Sequence, residues 1–157
     1  MHKTIEEMLS WLDNKSQMNW ILLDTETTGL QGHKVEQLTQ IAAISSHYDI
    51  KRNSFTDLPT FNKKISLNDN SLQRLEDNND KIGWVLDFNG YEKGNHTYYE
   101  ENKVINDFMN YCKTYSPCML VAQNSDFDMD MLNGRGEVKF IQEVFDTKML
   151  IRMYYIP

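Results

Sequence analysis

The chain has 157 residues, enough for one domain with a single core, and 40% of them are hydrophobic, as in ordinary soluble globular proteins. Its formal net charge of −7 excludes a broad basic face of the kind that coats nucleic acid. The two cysteines are too few for a disulfide framework, and no apolar run approaches the roughly 20 residues of a membrane span, so we expect a cytoplasmic protein without membrane contact.

A helix is predicted at the start of the chain, over residues 1–18. Thr4 fits the N-cap of a capping box that Glu7 completes three residues later, and an apolar stripe at helical spacing follows. We expect this helix to pack on the domain and to have no catalytic role.

The apolar run 21–23 ends abruptly in two carboxylates, Asp24 and Glu26. A run of this kind before turn residues is typical of a strand buried on both faces. Side chains at i and i+2 of a strand point to the same side, so the two acids share one face. Their repulsion would be relieved by a divalent cation such as Mg²⁺ or Mn²⁺. A strand end with two solvated acids is the alternative.

Two more strands are expected next, over residues 38–46 and within residues 55–65, with Pro59 in the approach to the second of them. The short links between the three strands favour an antiparallel meander.

Helical segments follow the predicted meander. A short helix is expected over residues 70–76, then a polar loop over 77–80 and a helical turn over 82–91 that Gly90 closes. Residues 100–113 have a clear amphipathic pattern. Its apolar stripe contains Val104, Ile105, Phe108, Met109 and Cys112.

A second candidate acid follows the apolar run 118–122, which is predicted to be a buried strand leading into a helix. At 100° per residue, Asp128 lies on the same stripe as apolar Met131, whereas Asp126 and Asp130 lie opposite and are expected to face solvent. An acid on the apolar side needs a partner, and a metal shared with the acids of the first strand would supply one. Acids placed for the helix dipole alone would explain Asp126 but not Asp128.

The sequence from Asp24 to Leu30, Asp-Thr-Glu-Thr-Thr-Gly-Leu, resembles the first motif of the DEDD superfamily of 3′→5′ exonucleases, the DnaQ-like enzymes. Residues 120–128, an apolar strand followed by Gln-Asn-x-x-Phe-Asp, resemble its second motif. The resemblance implies an α/β, ribonuclease H-like fold, with a mixed five-stranded sheet flanked by helices. In that sheet an antiparallel three-strand meander adjoins two parallel strands, within a single exonuclease domain over residues 1–157.

The resemblance also implies a reaction, the metal-dependent hydrolysis of phosphodiester bonds at the 3′ end of DNA or RNA, as in DNA polymerase III epsilon-like proteins. Asp24, Glu26 and Asp128 would be both the catalytic residues and the metal ligands, holding two Mg²⁺ or Mn²⁺ ions in a complete site. The implied partners are a single-stranded 3′ end and, as a further option, a polymerase or another replication or repair protein.

Substrate contacts are expected from three places. The loop of the first motif would meet the terminal nucleotide, with Leu30 as a wedge against the last base. Phe88, in a Phe-Asn-Gly triplet that resembles RNase T-like members, would stack on a base, with a core position as the alternative. The side-chain amide of Asn124 would brace the loop before the helix that carries Asp128, or would contact the terminal nucleotide. The residues concerned are Thr27, Thr28, Gly29, Leu30, Phe88 and Asn124.

The end of the chain completes this resemblance only in part. Residues 143–150 resemble the last strand of these enzymes, with Asp146 expected as a helix N-cap. A third motif, which would carry a fourth acid and the general base, is not found before Pro157, so we expect the domain to be incomplete at its C-terminus. Two alternatives stay open: a catalytically incomplete exonuclease-like module that binds nucleic acid or a polymerase, and another two-metal nuclease of the same fold.

Overall fold

The computed structural model describes residue 10 and residues 19–49, 51–77, 79–92, 94–95, 97–135 and 144–148. Its strands are β1 (Asn19–Thr27), β2 (Leu38–Asp49), β3 (Ser54–Lys64), β4 (Cys118–Ala122) and β5 (Val144–Asp146). Its helices are α1 (Asp69–Asp77), α2 (Asn79–Phe88), α3 (Glu101–Thr114) and α4 (Ser125–Arg135). Of the helix predicted over residues 1–18, only Ser10 is described, and it is helical; the rest of that prediction lies outside the described residues.

The five strands form one sheet in the order β3-β2-β1-β4-β5, with β1 at its centre. β1 pairs antiparallel with β2, and β2 with β3, because short links can only join antiparallel neighbours. β4 pairs parallel with both β1 and β5. β4 follows helix α3 along the chain, and β5 follows helix α4. The predicted ribonuclease H-like arrangement, a meander beside two parallel strands, is therefore confirmed.

The main core lies between the sheet and helices α3 and α4. The stripe predicted for α3 is buried in full, from Val104 to Cys112. Ile21 and Leu23 of β1 meet this stripe, and Met131 of α4 joins the same cluster. Full burial of an aliphatic side chain of this size contributes about 1.5–3 kcal/mol, so this layer fixes the position of β1.

One expectation about β1 is wrong, since the strand is not buried on both faces. Leu22 is 48% exposed and Asp24 is also exposed, whereas Ile21 and Leu23 are buried. The reason is that α3 and α4 pack against the same face of the sheet, the one to which Ile21 and Leu23 point.

Three boundaries also differ from the sequence prediction. β2 ends at Asp49, three residues beyond the predicted strand. Pro59 lies inside β3 rather than before it, which is possible because β3 is an edge strand and its pairing with β2 is irregular between Ala43 and Ser45. Residues 79 and 80, expected in a polar loop, already belong to α2.

Among the described residues, no helix has both the length and the apolar character needed to cross a bilayer.

Candidate active site

The predicted acids come together at one edge of the sheet. β1 and β4 are parallel neighbours, so their carboxyl ends lie side by side, a common position for ligand sites in α/β sheets. β1 brings Asp24 and Glu26 to this edge on its open face. Helix α4 begins three residues after β4 ends and brings Asp128 from its first turn.

Asp128 is the most buried of the three acids, with only 5% of its surface exposed. The Thr25 hydroxyl donates a hydrogen bond of 2.6 Å to Asp128 Oδ1 and so holds the carboxylate in place. Burial, together with the negative charge of Asp24, raises the pKa of Asp128 to about 6, even though the bond from Thr25 acts in the opposite direction. Asp128 therefore faces inward, as its place on the apolar stripe of α4 predicted.

Glu26 responds to the same environment. Its pKa is raised by burial first, and then by the charges of Asp24 and Asp128. The three carboxylates thus share one electrostatic field. Hard carboxylate oxygens with unneutralised charge match Mg²⁺ or Mn²⁺ in donor chemistry. Among the described residues, however, no three His, Cys, Asp or Glu side chains are already gathered into a group that could hold a metal ion.

The hydroxyls of the first-motif loop are used inside the loop itself. Thr27 Oγ1 donates to Gly29 O at 2.6 Å. Thr28 Oγ1 donates to Glu36 Oε2 at 2.6 Å and accepts from the backbone N–H of Gln37 at 3.0 Å. These bonds fix the shape of the loop, and a direct role of the two threonines in substrate binding stays a prediction.

Gly29 is needed for its small size. A Cβ atom at this position would lie 2.6 Å from Glu36 Oε1, well inside van der Waals contact. Glu36 is buried, and Arg74 of α1 contacts its carboxylate at 3.2–3.3 Å, which compensates the buried charge. The loop is thereby tied to α1.

A cavity of about 420 Å³ opens beside this loop, between it and helices α1 and α2. Leu30 borders it from the loop, and Ile82 and Val85 border it from α2. Leu30 is 87% exposed, the most exposed of the large apolar side chains of the described residues. Its exposure is what a wedge against a base requires.

Helix α2 presents an aromatic pair to solvent. Phe88 is 78% exposed, which rules out the alternative of a core position. Its ring stacks on that of Trp84, with centroids 5.5 Å apart and an interplanar angle of 22°. Sequence reasoning missed Trp84, although its position four residues before Phe88 places both rings on one side of the helix. Leu86, on another side of α2, is fully buried.

Asn124 lies in the turn between β4 and α4 with φ at +62°, a left-handed conformation that asparagine tolerates better than most residues. Its backbone N–H donates to Asp146 Oδ1 at 2.9 Å, and its side-chain oxygen accepts from Lys148 Nζ at 2.8 Å. These are bracing contacts, and contact with a nucleotide stays a prediction. Asp146 Oδ1 also accepts from the Lys148 backbone N–H at 2.9 Å, the N-cap contact expected for it.

No family model and no curated protein matches this chain. Its fold belongs to the ribonuclease H-like class. Among solved structures it is similar to E. coli exonuclease I in complex with a dA16 oligonucleotide, with a TM-score of 0.64 and 14% identity. It is also similar to an ExoI/SSB-Ct complex, with a TM-score of 0.65 and 14% identity. Each comparison covers 88% of this chain and 30% of the other, so this chain spans less than a third of those proteins. At this identity the likeness shows a shared fold.

Proposed function

We propose that this chain is a metal-dependent 3′→5′ exonuclease domain that hydrolyses phosphodiester bonds at the 3′ end of a single strand. The observation that carries the proposal is the electrostatic coupling of Asp24, Glu26 and Asp128 at the carboxyl end of β1. A buried acid with a raised pKa, such as Asp128, beside other carboxylates at such an edge is typical of functional sites. The resemblance of both motifs to the DEDD superfamily specifies the reaction.

The three acids would hold Mg²⁺ or Mn²⁺, two ions in a complete site. When bound, such ions stabilise the charge of the attacking and leaving oxygens and lower the pKa of a bound water. The pKa values of Asp128 and Glu26 are raised in the chain without metal. A positive charge beside these carboxylates would lower both pKa values, because it stabilises the ionised form. Thr25 holds one oxygen of Asp128 and so limits rotation of that carboxylate.

The loop that follows Glu26 borders a surface that suits a single-stranded end. A cavity of about 420 Å³ lies behind Leu30, and the Trp84–Phe88 pair lies on the neighbouring helix α2. Stacking on such rings holds any base, because every base has a flat face. Exonuclease I, which has a similar fold, is bound to dA16 in one of its structures, which makes single-stranded DNA the first substrate to test.

The second candidate is a catalytically incomplete module that binds a single-stranded end, or a polymerase, without cutting. One observation favours it: the carboxylates of the described residues do not yet form a three-ligand metal group. Both candidates use the same surface at Leu30 and α2, so oligonucleotide binding alone does not separate them, whereas cleavage of the strand does.

The deciding experiment combines calorimetric titration of Mn²⁺ with cleavage of an oligonucleotide labelled at its 5′ end. We expect the ion to bind and, at 100 times its Kd, to stabilise the fold by about 2.7 kcal/mol. Asp24→Asn and Asp128→Asn should each remove most of this binding. Asp126→Asn is the matched control, because Asp126 is an exposed acid of the same helix turn.

Three results would count against this function. Equal Mn²⁺ affinity in the wild type and in both site variants would exclude these acids as ligands. Cleavage that proceeds equally fast on a substrate whose 3′ end is blocked would exclude the proposed direction. Tight oligonucleotide binding with metal bound and no shortening of the strand would select the non-catalytic module instead.

A further inference from the structure

The loop that joins β1 to β2, residues 28–37, is attached to the domain on two sides. On one side Arg74 of α1 contacts Glu36. On the other side Asp130 of α4 contacts His33 twice: its Oδ2 accepts from the His33 backbone N–H at 3.0 Å, and its Oδ1 lies 2.7 Å from His33 Nδ1. We call this pair of contacts the His33 clasp.

Two glycines make the His33 clasp possible. A Cβ atom on Gly134 would lie 2.1 Å from the His33 ring. The ring therefore occupies the space that the side chain of any other residue at position 134 would need. A Cβ atom on Gly32 would lie 2.8 Å from Asp130 Oδ2, and Gly32 has φ at +83°, which disfavours other residues in any case. Asp130 and Gly134 are four residues apart and thus neighbours on one side of α4. Helix α4 therefore has a depression at Gly134 that accommodates the His33 ring next to Asp130.

The clasp joins two parts of the proposed site. Asp130 follows Asp128 by two residues on α4, and His33 follows the exposed Leu30 by three residues. The loop is closed within itself, since the N–H groups of Val35 and Glu36 both donate to Gly32 O, at 3.1 and 2.9 Å. The contacts of the loop with α1 and α4 restrict its movement, and they therefore restrict the position of Leu30 relative to the helix that carries Asp128.

Stabilisation of the fold is a weak reason for this arrangement. The side chains of His33 and Asp130 are 27% and 44% exposed, and ion pairs at such sites contribute about 0–1 kcal/mol. Positioning is a stronger reason, since a shift of about 1 Å between reacting groups can lower a rate about 100-fold.

We propose that His33 and Asp130 are positioning residues that hold the Leu30 loop in register with Asp128, so that a nucleotide seated at Leu30 presents its phosphodiester to the acids. This inference rests on the proposed function and adds to it the coupling between the nucleotide loop and the acidic site. Neither residue contacts the reacting atoms in this scheme. Loss of the clasp should lower kcat and leave KM almost unchanged, because the nucleotide surface on α2 and the Arg74 attachment stay in place.

The experiment compares Asp130→Ala and Gly134→Ala with Asp126→Ala. The control removes the same charge from the same helix, also two residues from Asp128. Among the described residues, Asp126 makes no hydrogen bond or ion pair with the loop. We expect kcat on a single-stranded oligonucleotide, per Mn²⁺-binding site, to fall about 10- to 100-fold in the two clasp variants and to stay within about 2-fold in the control. Asp130→Asn keeps an acceptor for the His33 N–H and should recover part of the loss. A double-mutant cycle with His33→Ala should give kcat effects that do not add.

The outcomes distinguish a failure of the clasp inference from a failure of the proposed function. If the wild type neither binds Mn²⁺ nor shortens the strand, the proposed function and the clasp inference both fail. If the wild type is active and the clasp variants keep the kcat of Asp126→Ala, only the clasp inference fails. A fall in unfolding temperature with unchanged kcat per metal site would also overturn the clasp inference, because that result would show a purely structural contact. His33→Ala introduces no clash, so kcat and unfolding temperature can be compared in this variant even if Gly134→Ala does not fold.

Discussion

The two faces of β1 differ in what they do, although their residues alternate along a single strand. Ile21 and Leu23 point into the core and pack with α3. Leu22 and Asp24 point the other way and are exposed. Thr25 joins the two functions, since it lies on the buried face and yet donates to the carboxylate of Asp128. Stability and proposed chemistry are therefore assigned to alternate residues, and substitutions one position apart should have different consequences.

The largest difference is expected in stability. Ile21→Ala should lower the free energy of unfolding by about 2–5 kcal/mol, because it removes a fully buried side chain from the packed face. Leu22→Ala, one residue later and 48% exposed, should lower it by about 1 kcal/mol or less. Urea unfolding of both variants measures the two values. Equal losses would mean that the open face of β1 contributes to the core as much as the packed one.

A second difference should appear in the pH dependence of stability without metal. The pKa of Asp128 is about 6 in the fold, above its ordinary value of 3.8, so the folded state binds the proton more tightly. Stability should thus be lost as the pH rises through 6 and regained on acidification toward 4, by at most about 3 kcal/mol for a shift of this size. Glu26, whose pKa is also raised, adds in the same direction.

Asp128→Asn isolates this contribution. The variant should be more stable than the wild type at pH 7 and should lose the advantage near pH 4, as measured by urea unfolding at a series of pH values. A constant difference between variant and wild type from pH 4 to 7 would show that Asp128 is not held with a raised pKa. Saturating Mn²⁺ should remove the advantage at pH 7, because the ion favours the ionised carboxylate.

The antiparallel meander and the stripe of α3 could be predicted from the sequence, because the first depends on link length and the second on local periodicity. The two parallel strands beside the meander were expected from the resemblance to the DEDD superfamily. The burial of Asp128 followed from its place on the apolar side of α4. The open face of β1 could not be predicted, since the run 21–23 has no polar residue to mark it. The place of Pro59 inside β3 depends on β3 being an edge strand, which only the assembled sheet shows.

The candidate site was predictable to a similar extent. Its acids were found from two motifs, each at the end of an apolar run. The contact between Thr25 and Asp128 spans 103 residues of sequence, and that between His33 and Asp130 spans 97. No local pattern connects residues so far apart. Trp84 was available to sequence reasoning through its spacing from Phe88 and was overlooked inside an apolar turn.

Helix α2 repeats the contrast between the two faces of β1 on a smaller scale, and it gives the smallest expected effect. Trp84→Ala and Phe88→Ala should each weaken binding of a single-stranded oligonucleotide by about 1–3 kcal/mol, because each removes a ring on which a base can stack. Their free energies of unfolding should change little, since the rings are 66% and 78% exposed. Leu86 is in the same helix but fully buried, so Leu86→Ala should lower the free energy of unfolding and leave oligonucleotide binding almost unchanged. Fluorescence anisotropy of a labelled single-stranded oligonucleotide with an uncleavable 3′ end measures binding, and urea unfolding measures the free energy of unfolding. If Leu86→Ala weakens binding as much as the two aromatic variants while all three remain folded, the exposed pair is not the nucleotide surface, and binding depends on the position of the whole helix.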